Sequence, residues 1–190
     1  MVKSPVDLEW HRQHRAGEPH RLDPHAYRAI AGLFTTGVTV VTALRGSDGR
    51  GMTANAFTSV SLDPLLVLVC VRQDSEMRRL VDKTHQFAVS VLAGDQQSVA
   101  SWFANPARPQ GRAQFDSVGW VPGHATGAPV ISGCLAWLEC AVAERVPAGD
   151  HLVLIGRVLD LGRSKATEPL VFFNGSYLTA TAPVPVRTVG

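Results

Sequence analysis

Apolar and polar positions alternate with a period of two through residues 51–64, and the two faces this produces are unlike each other. Met52, Ala54, Ala56, Val60 and Leu62 make an apolar face interrupted only by Thr58. Thr53, Asn55, Ser59 and Ser61 make the other face, with Phe57 in their midst. A half-buried strand usually turns Lys, Glu or Arg toward water, yet no charge occurs between Arg50 and Asp63. The stretch reads either as a Thr/Ser-rich edge strand or as a neutral hydrogen-bonding surface for a flat polar heterocycle.

Before it, Asp23-Pro24 opens a helix with a capping carboxylate and a proline at the first helical position. Tyr27, Ile30, Ala31 and Phe34 recur at helical spacing and predict one inward face, with Gly37 as the stop. Residues 38–43 form a β-branched strand. The run Arg45-Gly46-Ser47-Asp48-Gly49-Arg50 has hairpin chemistry and returns the chain antiparallel into the residue-51 strand. Asp63-Pro64 closes that strand.

The apolar run 65–71 predicts a strand covered on both faces. Asp74 or Ser75 then caps a short helix with Met77, Leu80 and Val81 turned inward. A strand over 87–92 precedes a helix capped by Asp95, which carries Val99, Trp102 and Phe103 and is ended by Pro106. Residues 107–127 are irregular. Alternation resumes over 134–142, Pro147-Ala148-Gly149-Asp150 turns the chain, and 152–161 returns as a second long strand. Tight turns and three short helices predict a mainly β, α+β chain folded as a small closed or split antiparallel barrel. The expected divisions are a polar, flexible arm over 1–22, one domain over 23–180, and a tail over 181–190.

Composition narrows the partners. The 190 residues are 45% hydrophobic and 18% charged, enough for a sizeable core in one domain or in a protomer completed by a partner. The net charge is only +2, and no basic run interleaves with aromatics, which argues against nucleic acid. No apolar run is long enough to span a bilayer and no signal-peptide core is present, so the expected location is the cytoplasm, with no membrane partner. Cys70, Cys134 and Cys140 lack CxxC spacing and read as free thiols. His11, His14 and His20 lack apolar anchors that would hold a metal, and no metal site is expected.

Nucleotide and hydrolase motifs are missing as well: there is no GxGxxG between a strand and a helix, no Walker A sequence and no GxSxG elbow. Three features remain. One is the neutral strand face. Another is Asp74-Ser75, where a helix start offers free backbone N–H groups to a phosphate, although plain capping is the better explanation of it taken alone. The last is His151 after Gly149-Asp150, either a site residue or an ordinary turn residue. An apolar helix face and several exposed aromatics on so short a barrel also predict a dimer.

Together these pieces form a pattern. Phe34-x-x-Gly37-Val38-x-Val40-Val41-Thr42, followed by Gly51-Met52-Thr53-Ala54-Asn55-Ala56-Phe57-x-Ser59-Val60-Ser61-x-Asp63-Pro64, resembles the flavin reductase-like, split-barrel flavin-binding family. More narrowly, it is similar to the small reductase components of two-component flavin-dependent monooxygenases. The likeness continues through Phe87-Ala88-Val89-Ser90-Val91-Leu92, Val99-Ala100-x-x-Phe103-Ala104, Gly127-x-Pro129-x-Ile131 and Gly149-Asp150-His151. It departs from the family pattern at Met77, where many relatives have Ser or Thr, and at Gln114, where many have Lys.

The resemblance implies a homodimer of Greek-key antiparallel split barrels, with FAD or FMN in a groove near the subunit interface. It implies an NAD(P)H:flavin oxidoreductase, with NADH favoured, that supplies reduced flavin to a partner monooxygenase. Hydride would pass from NADH to flavin N5 with no catalytic side chain. The implied ring contacts are Thr53, Ala54 and Asn55, and the ribityl and phosphate groups run toward Ser59, Cys70, Val71, Arg72 and Ser75. Thr36, Met52, Ser61, Phe103 and Phe115 complete the implied flavin set, and His151, Asp150 and Tyr177 are implied beside NADH. The alternatives are a non-catalytic flavin-binding electron carrier and a pyridoxamine-phosphate-oxidase-like enzyme, the latter disfavoured by the shortage of basic residues near the site.

Overall fold

Seven strands form one antiparallel sheet, and its first two edges to be understood are β3 (Asp48–Ala54) and β4 (Phe57–Leu62). The computed structural model describes residues 22–180; apart from Leu22, the expected arm and tail lie outside the described residues. The remaining strands of that sheet are β2 (Thr39–Arg45), β5 (Leu65–Arg72), β6 (Gln86–Val91), β9 (Ala136–Ala148) and β10 (His151–Arg163). Their order is β3-β2-β6-β9-β10-β5-β4. A flat sheet of that width would hold its edges about 29 Å apart, at roughly 4.8 Å per strand step. Yet Asn55 and Ala56 alone join β3 to β4, and three residue steps reach only about 10 Å. The sheet therefore has to roll up until its edges nearly meet, giving a barrel split along the β3/β4 seam.

This corrects the single strand expected over residues 51–64. The chain changes neighbours at Asn55-Ala56: β3 pairs with β2, and β4 pairs with β5. A bulge between Ser59 and Ser61 then shifts the register, so Val60 and Leu62 are exposed instead of continuing the apolar face of Met52 and Ala54. Other expectations also shift. The run 65–71 alternates, with Val67, Val69 and Val71 buried and Leu65 exposed, because β5 lies next to the sheet edge and only its inner face is covered. β2 and β6, farther from the β4 edge, are covered on both faces.

Among the described residues, three α-helices flank the barrel. α1 (Pro24–Ala31) starts as expected, its Asp23 carboxylate accepting from the His25 and Ala26 N–H groups. It stops at Gly32, whose N–H donates to Arg28 O, while Gly37 lies in the short strand β1 (Thr36–Gly37). The inward face expected for it is not packed among the described residues: Tyr27, Ile30 and, just beyond the helix, Phe34 are 68%, 71% and 78% exposed. α2 (Glu76–Thr84) is capped by Ser75 and buries Met77, Leu80 and Val81. α3 (Gln97–Ala104) follows Gln96, not a capping Asp95; the Gln96 amide instead ties Ala93 N–H to Ser132 O.

β2 explains why two cores can lie side by side. Val41 and Ala43 face the barrel interior, with Val67, Val69, Phe87, Leu154 and the inward face of α2. Val38 and Val40 face the other way, toward Leu92, Phe103, Phe115, Ile131 and Leu170 beneath α3. The second core is finished by a 3₁₀ turn (Gly111–Phe115) and by β7 (Trp120–Pro122), β8 (Pro129–Ile131), β11 (Leu170–Phe173) and β12 (Ser176–Thr179). Among the described residues no helix is long and apolar enough to cross a membrane.

Phe87 fills the barrel interior so closely that a Cβ on Gly156 would come within 2.6 Å of its ring. Phe87→Ala is expected to cost about 3–5 kcal/mol. Urea unfolding checks this as a lower midpoint at unchanged m-value.

Candidate functional site

β3 lies under a cleft of about 470 Å³ that opens between the start of α2 and the end of α3. Met52, Thr53, Ala54, Asn55 and Ala56 make its floor. One wall is Cys70 and Arg72 at the end of β5, Ser75 to Met77 at the start of α2, and His151 at the start of β10. The other is Phe103, Ala104, Pro106 and Arg108, with Arg50 beside them.

The floor is fixed by its own side chains. Thr39 Oγ1 donates to Ala54 O at 2.7 Å, and Thr53 Oγ1 donates to Ala100 O at 2.6 Å, pinning α3 across β3. The Thr53 proton is therefore committed to the scaffold. Gly51 is required by close approach, since a Cβ there would lie 2.5 Å from the Phe103 ring. Gln114 holds this strand from beneath: its Oε1 accepts from Gly51 N–H at 2.8 Å, and its Nε2 donates to Gly49 O and Gly111 O, both at 2.7 Å. That amide, with both a donor and an acceptor, does what a lysine at this position could not, because ammonium has no acceptor.

The α2 wall is organised by a turn-to-turn junction. His151 pairs with Arg72 in the β10–β5 ladder, and Gln73 ties itself to the opposing turn through Asp150 O (3.0 Å) and Gly149 O (2.8 Å). Ser75 Oγ accepts from Arg78 N–H and donates to Arg72 O. Arg72 grips Asp74 through Nε and a terminal nitrogen, each at 3.0 Å. That hydrogen bond, and then the charge behind it, holds the Asp74 carboxyl below the usual carboxylate range and pushes the Arg72 guanidinium up. Asp150 accepts from His151 Nδ1 at 2.8 Å, which likewise lowers the Asp150 carboxyl and leaves Nε2 of His151 for the cleft. Burial raises the Cys70 thiol, so the sulfur lining the cleft is a neutral one.

The cleft brings together Met52, Thr53, Ala54, Asn55, Cys70, Arg72, Ser75, Phe103 and His151 from the sequence-predicted set. Other members lie elsewhere. Strand alternation turns Val71 into the barrel core beside the outward Cys70. Phe115 is buried under the floor, with its ring 5.5 Å from Phe103. Ser59 and Ser61 leave with β4 along the seam, and Ser61 Oγ accepts from Asp63 N–H. Thr36, on β1, has a buried hydroxyl without a partner among the described residues and does not line the cleft. Tyr177 stands behind the floor in a smaller hollow of about 130 Å³ shared with Phe172, Thr53, Asn55 and Ala104. Asp150 supports His151 from the exposed side.

Arg50, Glu76 and Arg108 line the cleft but were not singled out by sequence. Arg108 comes from the irregular segment, where nothing in the periodicity gave it a direction. It is buried, and donates to Gly51 O (2.5 Å), Asn105 O (2.6 Å) and Gln114 Oε1 (3.3 Å). Burial, and then the nearby Arg50 charge, lowers its guanidinium to about 10, so it is charged at neutral pH.

A rolled antiparallel sheet, split along one seam and carrying a neutral strand floor, defines a split-barrel protein with a cleft suited to a flat polar ligand. The chain belongs to the flavin reductase-like domain family, whose sequence profile matches residues 31–181. It is 48% identical over 150 residues to an NADH-dependent FAD reductase of Streptomyces globisporus, spanning 79% of this chain and 82% of that one. It is 32% identical over 170 residues to HsaB of Rhodococcus jostii, a flavin-dependent monooxygenase reductase subunit, covering 87% and 85% of the two chains. It superposes with a TM-score of 0.80 and 46% identity on BorF, the flavin reductase component of a bacterial two-component tryptophan halogenase, over 85% of this chain and all of that one. The fold is thus the expected split barrel.

Gln114→Leu keeps the volume but strands the Gly49, Gly51 and Gly111 backbone groups. It is expected to lower stability by about 1–3 kcal/mol, read as a lower midpoint in thermal or urea unfolding.

Proposed function

We propose that this protein is an NADH-dependent flavin reductase that hands reduced FAD or FMN to a partner flavin-dependent monooxygenase. The observation that carries the reading is the uncharged floor of Thr53, Ala54, Asn55 and Ala56 between two apolar shoulders, Met77 and Phe103. The donor chemistry fits a flavin: small neutral groups meet the polar edge of the ring, and hydrocarbon meets its faces. Glu76, the acidic residue lining the cleft, is engaged by Arg79 and does not oppose an electron-rich ligand.

A bound flavin would supply the redox chemistry, with a nicotinamide as the hydride donor. The protein's part is alignment and polarity. Asn55 and the β3 backbone meet the ring edge, while Ser75 and the first amides of α2 face a ribityl or phosphate group. His151, oriented by Asp150, presents Nε2 to the nicotinamide carboxamide, where it accepts a hydrogen bond when neutral and donates one when charged. Since hydride needs no general base, no side chain acts as a catalyst. Ser59, Ser61, Thr36 and Tyr177 reach the flavin or nicotinamide only if a second protomer or a closing movement brings them there.

The protein works as a homodimer in the cytoplasm. The dimer is supported by the uncovered stripe of Tyr27, Ile30 and Phe34, continued by Leu33 at 56% exposure, which a partner surface would remove from water. Light scattering is expected to give twice the chain mass at micromolar concentration, and a double substitution of Ile30 and Phe34 to Glu is expected to give monomers.

Steady-state NADH oxidation with riboflavin, FMN and FAD in parallel tests the activity. Turnover with added flavin is the expected result, whereas flavin binding without NADH oxidation would mark an electron carrier. Within that assay, His151→Ala is expected to raise the KM for NADH about fivefold, roughly the 1 kcal/mol of one neutral hydrogen bond. A smaller fall in kcat and unchanged flavin affinity should accompany it.

A further inference from the structure

The charged side chains of the cleft are distributed unevenly. At the α2 end, Arg72 is neutralised by its two-point contact with Asp74. At the α3 end, Arg50 and Arg108 line the same cleft and neither has a carboxylate partner among the described residues. Arg50 donates to the Gln110 amide oxygen at 2.5 Å, and Arg108 donates to two carbonyls and an amide. Arg108 is only 6% exposed. Neutral oxygens orient a buried guanidinium without cancelling its charge, and two like charges side by side raise the cost further. Each guanidinium has five N–H donors, so Arg108 retains N–H capacity beyond its three recorded bonds. Arg50 stands on β3, and the segment that carries Arg108 and Gln110 is fixed to that strand by Gln114.

We propose that Arg50 and Arg108 form a preorganised anion subsite at the α3 end of the cleft, which takes a phosphate or diphosphate ester of a bound nucleotide. This rests on the flavin reductase reading and sharpens it: the protein selects phosphorylated over unphosphorylated cofactors through this pair. Guanidinium groups suit the role because their paired N–H donors match phosphate oxygens. A phosphate brought there supplies the missing negative charge, so the repulsion between the arginines becomes shared attraction. The diphosphate belongs either to the flavin nucleotide or to the nicotinamide nucleotide, since both present the same chemistry to this end.

Calorimetric titration of the purified protein with riboflavin, FMN, FAD and NAD⁺, each alone, separates these sources and needs no turnover. Riboflavin binding to the wild type reports on the cleft as a flavin site; its failure would sink the function proposed above, independently of the arginines. In Arg50→Gln, chosen because Arg50 is at the surface of the pair, riboflavin affinity is expected to stay within twofold. FAD and FMN affinity should fall tenfold or more if the flavin supplies the phosphate; NAD⁺ affinity should fall instead if the nicotinamide nucleotide does. Arg108→Lys, which keeps the charge but loses the fork, should give an intermediate loss. Inorganic pyrophosphate should compete with the affected nucleotide in the wild type and lose that effect in Arg50→Gln. The proposal is overturned if Arg50→Gln weakens riboflavin as much as FAD, which would mean a deformed cleft. It is equally overturned if no nucleotide affinity changes or pyrophosphate fails to compete.

Discussion

Asn55 and Ala56 carry the chain from one edge of a seven-stranded sheet to the other, and the rest of the structure depends on that short passage. A link of about 10 Å cannot join edges that a flat sheet would hold about 29 Å apart, so the sheet must roll. Rolling creates an interior, which the β-branched face of β5 and the aromatic Phe87 fill. It also leaves a seam where the backbone passes from one strand pairing to another. Ala56 O still accepts from Cys70 N–H at 3.3 Å, so the passage is anchored to β5 as well as to β3. The floor of the cleft is this passage together with the end of β3. Barrel closure and the site therefore share one cause.

The same economy governs charge. Along the floor the side chains are neutral, and the one threonine proton that could compete for a ligand is held by α3. Ionic groups stand at the ends, where a ring would not lie on them: Arg72 with Asp74 and His151 with Asp150 at one, Arg50 with Arg108 at the other. At the first end the Arg72–Asp74 pair is compensated, and it is exposed and worth little to stability. The other keeps its positive charge. A nucleotide redox cofactor is itself divided in this way, into a neutral ring and an anionic tail.

Much of this was legible before any coordinates. Local signals gave the Arg45–Asp48 hairpin, the Ser75 cap with Met77, Leu80 and Val81 beneath it, and the long β9–β10 ribbon, because each is written in neighbouring residues. The uncharged run from Gly51 marked the cleft floor for the same reason. What failed was whatever depended on a distant partner. Period-two alternation continues smoothly through Asn55, and only the pairing of β4 with β5 reveals that the strand ends there. The amphipathic pattern of α1 predicted an inward face, yet its apolar residues are exposed and nothing among the described residues covers them. Val71 and Phe115 carry the right residue types for a site and point away from it. Arg108 lies in a segment without periodicity, where direction is set by Gln114 across the floor.

The central claim is that a flavin ring lies on the passage between β3 and β4, and Asn55 tests it most directly. Its side chain is exposed in the cleft and has no recorded bond to the scaffold, so Asn55→Leu should leave the unfolding midpoint unchanged. The measurement is the dissociation constant for FAD from quenching of flavin fluorescence, in wild type and in this variant. A fall in affinity of about fivefold or more is predicted, the cost of removing one polar partner from the ring edge. Wild-type affinity in a normally folded Asn55→Leu protein would contradict the account.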